Sequence, residues 1–177
     1  MAKEFKFIPP VGWEGSWQER KEISAAYAAW LADLDVDWWV TLNFNRPITL
    51  IGVRWKFRAW LARIDREYLG HNWCRSGDER AFAVAVVEHL HTNIHLHVLL
   101  RMPTPARALD RPYQSESMVK HWRKLERTGQ CVVEWIYDIA GVARYMSKEL
   151  TTSGHLEDCL FVSTEFHNDR RHETEPR

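Results

Sequence analysis

No run of about eighteen or more apolar residues occurs in this chain, which argues against a membrane-spanning helix. Met1 to Pro10 alternates charged and aromatic residues where a secretory signal would carry an unbroken apolar stretch, so a soluble, cytoplasmic protein is expected. Cysteine is scarce: Cys74, Cys131 and Cys159 are odd in number, widely spaced and form no Cys-x-x-Cys. That excludes a disulfide framework and a cysteine zinc site, and leaves ordinary reduced thiols. There is no GxxxxGK[ST] stretch for an attached nucleotide-driven motor, no internal repeat and no low-complexity block. Nor is there an excess of charge of either sign, since 24 Lys and Arg balance 24 Asp and Glu, which counts against indiscriminate binding of polyanions. Charge is instead local. Arg54 to Arg66 holds five basic residues against one acidic, and Lys120 to Lys124 is similar, although solvated helix faces are the ordinary meaning of such runs.

What is present is enough apolar residue, 45% of 177, for one domain with a real core. The expected division is an N-terminal arm at 1–15, a single domain at 16–166 and a polar, disordered tail at 167–177. Ser16 to Leu34 carries Ile23, Tyr27, Trp30 and Leu34 near helical spacing and reads as a helix. Asp37 to Asn45 is β-branched and aromatic, bounded by Asp and by Asn-Arg-Pro, and reads as a strand. Val53, Phe57, Trp60, Leu61, Ile64 and Tyr68 form one helical stripe ended by Gly70. The apolar runs Ala81 to His89 and Ile94 to Arg101 predict a hairpin. Pro103 to Pro112 reads as a connection, Met118, Trp122 and Leu125 as a helix stopping before Gly129, and Cys131 to Tyr137 as a strand. Asp138 can cap a helix over Ile139 to Leu150, with a last strand within Cys159 to Phe166. From Asp37 onward the order is βαββαβ followed by a helix. The expected fold is therefore α+β, a ferredoxin-like antiparallel sheet with helices on one face and the other free for a site, plus an N-terminal helix and a tyrosine-bearing helix.

Strand alternation aims His95 and His97 at one face, opposite to Ile94, Leu96, Val98 and Leu100. An even-numbered hairpin loop pairs Glu88 with one of these histidines on that same face, giving a two-His, one-carboxylate set suited to a divalent metal. With nine histidines a chance His-x-His is common, and a second one, His89 and His91, could bind metal in its place near the hairpin tip. Tyr145 and Lys148 lie three apart on the last helix and share a face. A tyrosine hydroxyl, with its pKa near ~10, becomes a nucleophile at neutral pH only where a metal, a base or a cation lowers the cost of ionising it. A lone Tyr-x-x-Lys usually means a packed tyrosine beside a solvated lysine. On the first strand Trp39, Thr41 and Asn43 share the site's face, where an indole could stack on an unpaired base and polar groups could hold phosphates. Most of the ten tryptophans must nevertheless be core.

In series, DWWVTLNF, EHLHTNIHLHVLLR and ARYMSKEL resemble the three motifs of the HUH endonucleases, and specifically the single-tyrosine, rolling-circle replication (Rep-type) branch. The likeness spans Asp37 to Leu150. It implies His95, His97 and Glu88 as metal ligands for Mg²⁺ or Mn²⁺, Tyr145 as nucleophile and Lys148 as its helical partner. The implied activity is nicking and joining of single-stranded DNA at an origin through a 5′-phosphotyrosine link, in a plasmid or virus, with a separate helicase and room for a homo-oligomer. Tyr145 follows the histidines, as in Rep proteins and small HUH transposases, whereas in conjugative relaxases the tyrosine precedes them. The other readings are a small HUH transposase, a non-catalytic nucleic-acid-binding module and another two-His, one-carboxylate metalloenzyme such as an iron oxygenase.

Overall fold

The computed structural model describes residues 16–89, 92–152 and 159–166. The expected arm and tail, and His91, lie outside the described residues. In chain order the elements are α1 (Trp17–Ala32), β1 (Trp38–Asn43), α2 (Leu50–Leu69), β2 (Phe82–Glu88), β3 (His95–Arg101), α3 (Arg111–Leu125), β4 (Cys131–Trp135), α4 (Ile139–Thr152) and β5 (Leu160–Val162). The described residues form an α+β fold whose sheet has five antiparallel strands in the order β4-β1-β3-β2-β5.

Local chemistry sets the element ends. Ser16 and Glu19 form a reciprocal capping box at the start of α1, satisfying two backbone donors that the helix leaves open. The Thr49 side chain accepts from the Gly52 amide to start α2, and Gly70, at φ 72°, ends it in a backbone region that side chains with a Cβ disfavour. Asp138 accepts from the Gly141 amide at 2.9 Å and opens α4. α3 starts earlier than its apolar spacing suggests. Pro112, expected in the preceding connection, sits in the helix's first turn, where the N–H it lacks has no helical partner to lose.

One face of the sheet carries Trp38, Val40, Leu42, Leu96, Val98 and Leu100 against Phe57, Trp60 and Ile64 of α2 and Met118 and Trp122 of α3. Burying each large aromatic or aliphatic side chain here contributes roughly 1.5–3 kcal/mol. The opposite face, expected to be free, is not. Val84 and Val86 of β2 and Leu99 of β3 lie on it, and they are covered by Tyr27 and Leu31 of α1 and Ala143 and Met146 of α4. The reason is in β2 itself, an unbroken apolar run buried from Ala83 to Glu88, which needs cover on both faces. Cover stops short of β4, where Val132 and Glu134 are exposed beside Thr41 and Trp39. The site therefore lies at the margin of that cover, where α4 itself brings Tyr145 to Glu88. Among the described residues no helix is long and apolar enough to cross a membrane.

Candidate functional site

Register builds the site. In the β2–β3 ladder Glu88 stands opposite His95 and Val86 opposite His97, and across β3 Thr41 of β1 stands opposite His97 and Asn43 opposite His95. All of these except Val86 have polar side chains, and by strand alternation they share one face. Glu88 Oε2 lies 2.5 Å from Nε2 of His95 and 2.7 Å from Nε2 of His97, so both imidazoles converge on one carboxylate oxygen. The other oxygen, Oε1, accepts from the Tyr145 hydroxyl at 3.3 Å. Two segments far apart in sequence, the β2–β3 hairpin and α4, meet at a single side chain.

The hydrogens at His95 can be assigned by valence. Its Nδ1 lies 3.0 Å from the carbonyl oxygen of Asn93, and a carbonyl only accepts, so Nδ1 carries the hydrogen. In a neutral ring Nε2 then presents a lone pair to a carboxylate oxygen 2.5 Å away. Two acceptors at that distance need a proton between them, as in a short charge-assisted hydrogen bond. His97 Nδ1 lies 3.2 Å from Thr41 Oγ1, a hydroxyl able to donate or accept. If Nδ1 donates to Thr41, Nε2 of His97 is free to bind a metal. This is the usual outer contact of a ligating histidine, which fixes both tautomer and ring angle.

Electrostatics suit the same role. Burial pushes the Glu88 carboxyl up, but hydrogen bonds and charge from His97 and then His95 outweigh it and leave the group below its usual range, ionised at neutral pH. For His97 burial outweighs the pull of Glu88 and holds the imidazole below 6.5, in the neutral form that a metal requires. Glu88, His89 and His95 also form a group that could hold a metal ion, their ligand atoms all lying within 4.8 Å of one another. His89 follows β2 directly, in left-handed backbone at φ 55°, and its exposed ring sits 5.1 Å from that of His95. Two imidazoles and a carboxylate thus converge with either His97 or His89 as the third member, and the donor chemistry of both sets fits a divalent cation.

Tyr145 reaches the site because Ala143 and Met146, on the inner face of α4, anchor that helix against α1 and the sheet. Its ring packs edge-on to His97 at 5.2 Å and lies 5.8 Å from Trp39, while the residue stays 42% exposed, open to a substrate. Lys148 is exposed on the following turn of α4. Trp39 packs beside both His97 and Tyr145, each ring 5.8 Å away, with its indole nitrogen buried and without a hydrogen-bond partner among the described residues. Asn43 is engaged elsewhere: its side-chain oxygen accepts from the Gln130 amide at 2.7 Å and ties β1 to the entry of β4. Thr41 contacts a histidine ring nitrogen. The orienting carbonyl of Asn93 has no sequence signature, since any residue type could supply it. Compared with known proteins, the chain matches no family model, no curated protein and no solved structure.

Proposed function

We propose that this protein cuts and rejoins single-stranded DNA through Tyr145, in the manner of the Rep-type HUH endonucleases, to initiate rolling-circle replication of a plasmid or virus. One observation carries the reading: the Tyr145 hydroxyl and the imidazoles of His95 and His97 converge on the carboxylate of Glu88. A tyrosine packed for structure alone would have no reason to share a carboxylate with two histidines. Sheet order gives support. β4-β1-β3-β2, with α2 and α3 as crossovers on one face, is compatible with a ferredoxin-like split βαβ unit, on which reading α1, α4 and β5 are additions.

Glu88, His95 and His97 would hold a divalent cation, Mn²⁺ or Mg²⁺. When bound, it would neutralise charge on the scissile phosphate and polarise it. Tyr145 Oη forms a bond to phosphorus as the bond from phosphorus to the 3′ oxygen breaks. The phenolic proton leaves toward Glu88 Oε1, and the departing 3′ oxygen takes a proton from solvent. The products are a 5′-phosphotyrosine and a free 3′-OH, and attack by a 3′-OH on that link reverses the cut or joins a new end. Lys148, one turn from the nucleophile, adds positive charge near the phosphate. Trp39 braces both the ring of Tyr145 and that of His97, and the exposed strip over β1 and β4 is the path by which a strand reaches them.

The test is incubation of labelled single-stranded oligonucleotide pools with the protein and Mn²⁺, resolved on a denaturing gel. A protein-linked band that requires both Mn²⁺ and Tyr145 is the expected result. Cleavage that persists in Tyr145→Phe would remove tyrosine from the mechanism.

A further inference from the structure

On the far side of the sheet from Glu88, α2, α3 and the turn at Trp73–Arg75 enclose an open cavity of about 830 Å³. Six cations line it: Arg58, Arg63 and Arg66 from α2, Arg75 from the turn, and Lys120 and Lys124 from α3. The buried Arg80 also reaches the lining but is committed to Asp65 at 2.8 Å. Among the described residues the only lining carboxylate is Glu67. Ser117, Lys120 and His121 all bond to it and, against the upward push of burial, bring its pKa down to about 2, so it offsets one lysine and no more. Among the described residues Arg63, Arg75 and Lys124 have no carboxylate partner. In a chain of zero net charge, this concentration is a local feature of the fold.

His121 adds a second observation. It is 8% exposed, it lines the cavity, and among the described residues its Nδ1 has no hydrogen-bond partner although Nε2 is held by Glu67. Trp55 and Trp73 also line the cavity. The cations without a carboxylate partner among the described residues come from three separate elements, Arg63 from α2, Arg75 from the turn and Lys124 from α3. Such a set suits the repeated phosphates of a nucleic-acid backbone better than one small anion.

We infer that this cavity is a second nucleic-acid site, which takes the phosphate backbone of a strand or duplex on the face opposite to Tyr145. The inference goes beyond the proposed chemistry and does not rest on it. Binding here needs neither metal nor nucleophile, and contact with backbone phosphates gives affinity without reading sequence.

The experiment is fluorescence anisotropy of labelled oligonucleotides, single-stranded and duplex, with excess chelator and across a salt series. Arg63→Glu/Lys124→Glu is compared with wild type and with the double reversal Lys21→Glu/Arg127→Glu, which lies outside the cavity. The cavity variant should lose at least about tenfold in affinity and flatten the salt dependence by about 0.7 per lost phosphate contact on a single strand. The control should stay within twofold. Equal loss in both double variants would reduce the effect to net charge and overturn the site. Inorganic phosphate that competes as well as an oligonucleotide at equal phosphate concentration would overturn the backbone reading in favour of a small-anion pocket. Because chelator is present throughout, failure of Mn²⁺-dependent adduct formation leaves this result untouched, and the converse also holds.

Discussion

The hydroxyl of Tyr145 donates to Oε1 of Glu88 across 3.3 Å, while Oε2 of the same carboxylate faces His95 and His97. The two oxygens thus face different partners, one the tyrosine hydroxyl and the other the imidazoles. Tyr145→Phe removes only the first contact. It should abolish adduct formation, leave Mn²⁺ binding within about threefold of wild type and shift stability by less than about 1 kcal/mol, because the lost hydrogen bond is long and partly solvated. Glu88→Gln should lose both metal binding and adduct. Calorimetric titration with Mn²⁺ alongside the gel separates the two, and a Tyr145→Phe protein that no longer binds Mn²⁺ would contradict the division.

Two candidate ligand sets share Glu88 and His95 and differ in the third member. The buried His97, oriented by Thr41, should be the ligand, and the exposed His89 an onlooker. Saturating Mn²⁺, at about a hundred times its dissociation constant, should raise wild-type stability by about 2.7 kcal/mol. His95→Ala and His97→Ala should erase that increment, and His89→Ala should keep most of it. The reverse pattern would move the centre to the Glu88, His89 and His95 group.

Thr41 was a candidate phosphate contact by sequence, and its hydroxyl lies 3.2 Å from His97 Nδ1. Thr41→Val keeps the shape of the side chain and removes that contact, so Mn²⁺ affinity should fall about 10–100-fold. Thr41→Ser should restore it. If Thr41→Val weakens DNA binding under chelation and leaves Mn²⁺ affinity alone, the phosphate role stands instead.

Glu126 sets an acid limit on stability. Arg46 grips both its oxygens, Thr128 donates at 2.9 Å and Lys56 lies 3.5 Å away. Burial pushes the carboxyl up, but these partners outweigh it and bring the pKa down to about 2 from an ordinary 4.5. A folded pKa below the unfolded one means the contribution is complete above pH 4.5 and is lost as pH falls toward about 2. Its size, discounted for the half-exposed Arg46, is about 1–3 kcal/mol. Denaturant unfolding at stepped pH should show a slope in that window for wild type and a smaller one for Glu126→Gln. Equal slopes would assign the acid sensitivity to other carboxylates.

Periodicity carried much of this architecture. The alternation of Trp38, Val40 and Leu42 with Trp39, Thr41 and Asn43 appears in the structure as alternate burial along β1, and hairpin parity placed Glu88 opposite one of the two histidines, which the register shows to be His95. The α2 stripe is buried from Val53 to Ile64 as its spacing predicts, with Tyr68 only half-buried at its end. What periodicity could not carry is partner choice. That α1 and α4 meet over Val84, Val86 and Leu99 depends on pairings across most of the chain, and only the unbroken apolar run of β2 hinted at a second layer. The place of β5 beside β2, the Asn93 carbonyl on His95 and the use of Asn43 to hold Gln130 likewise follow from tertiary contact, not from local pattern.

The packing of α4 on α1 also orders events in time. α1 is the first described helix to leave the ribosome, and the face it must bury has no helical partner until α4 follows, almost at the other end of the chain. Contacts so distant in sequence form late, after the closure entropy of everything between them has been overcome. β1, α2, β2 and β3 can already be in register by then, with His95 and His97 set beside Glu88. Tyr145 is delivered last, so a nascent chain would have assembled Glu88, His95 and His97 before Tyr145 could join them.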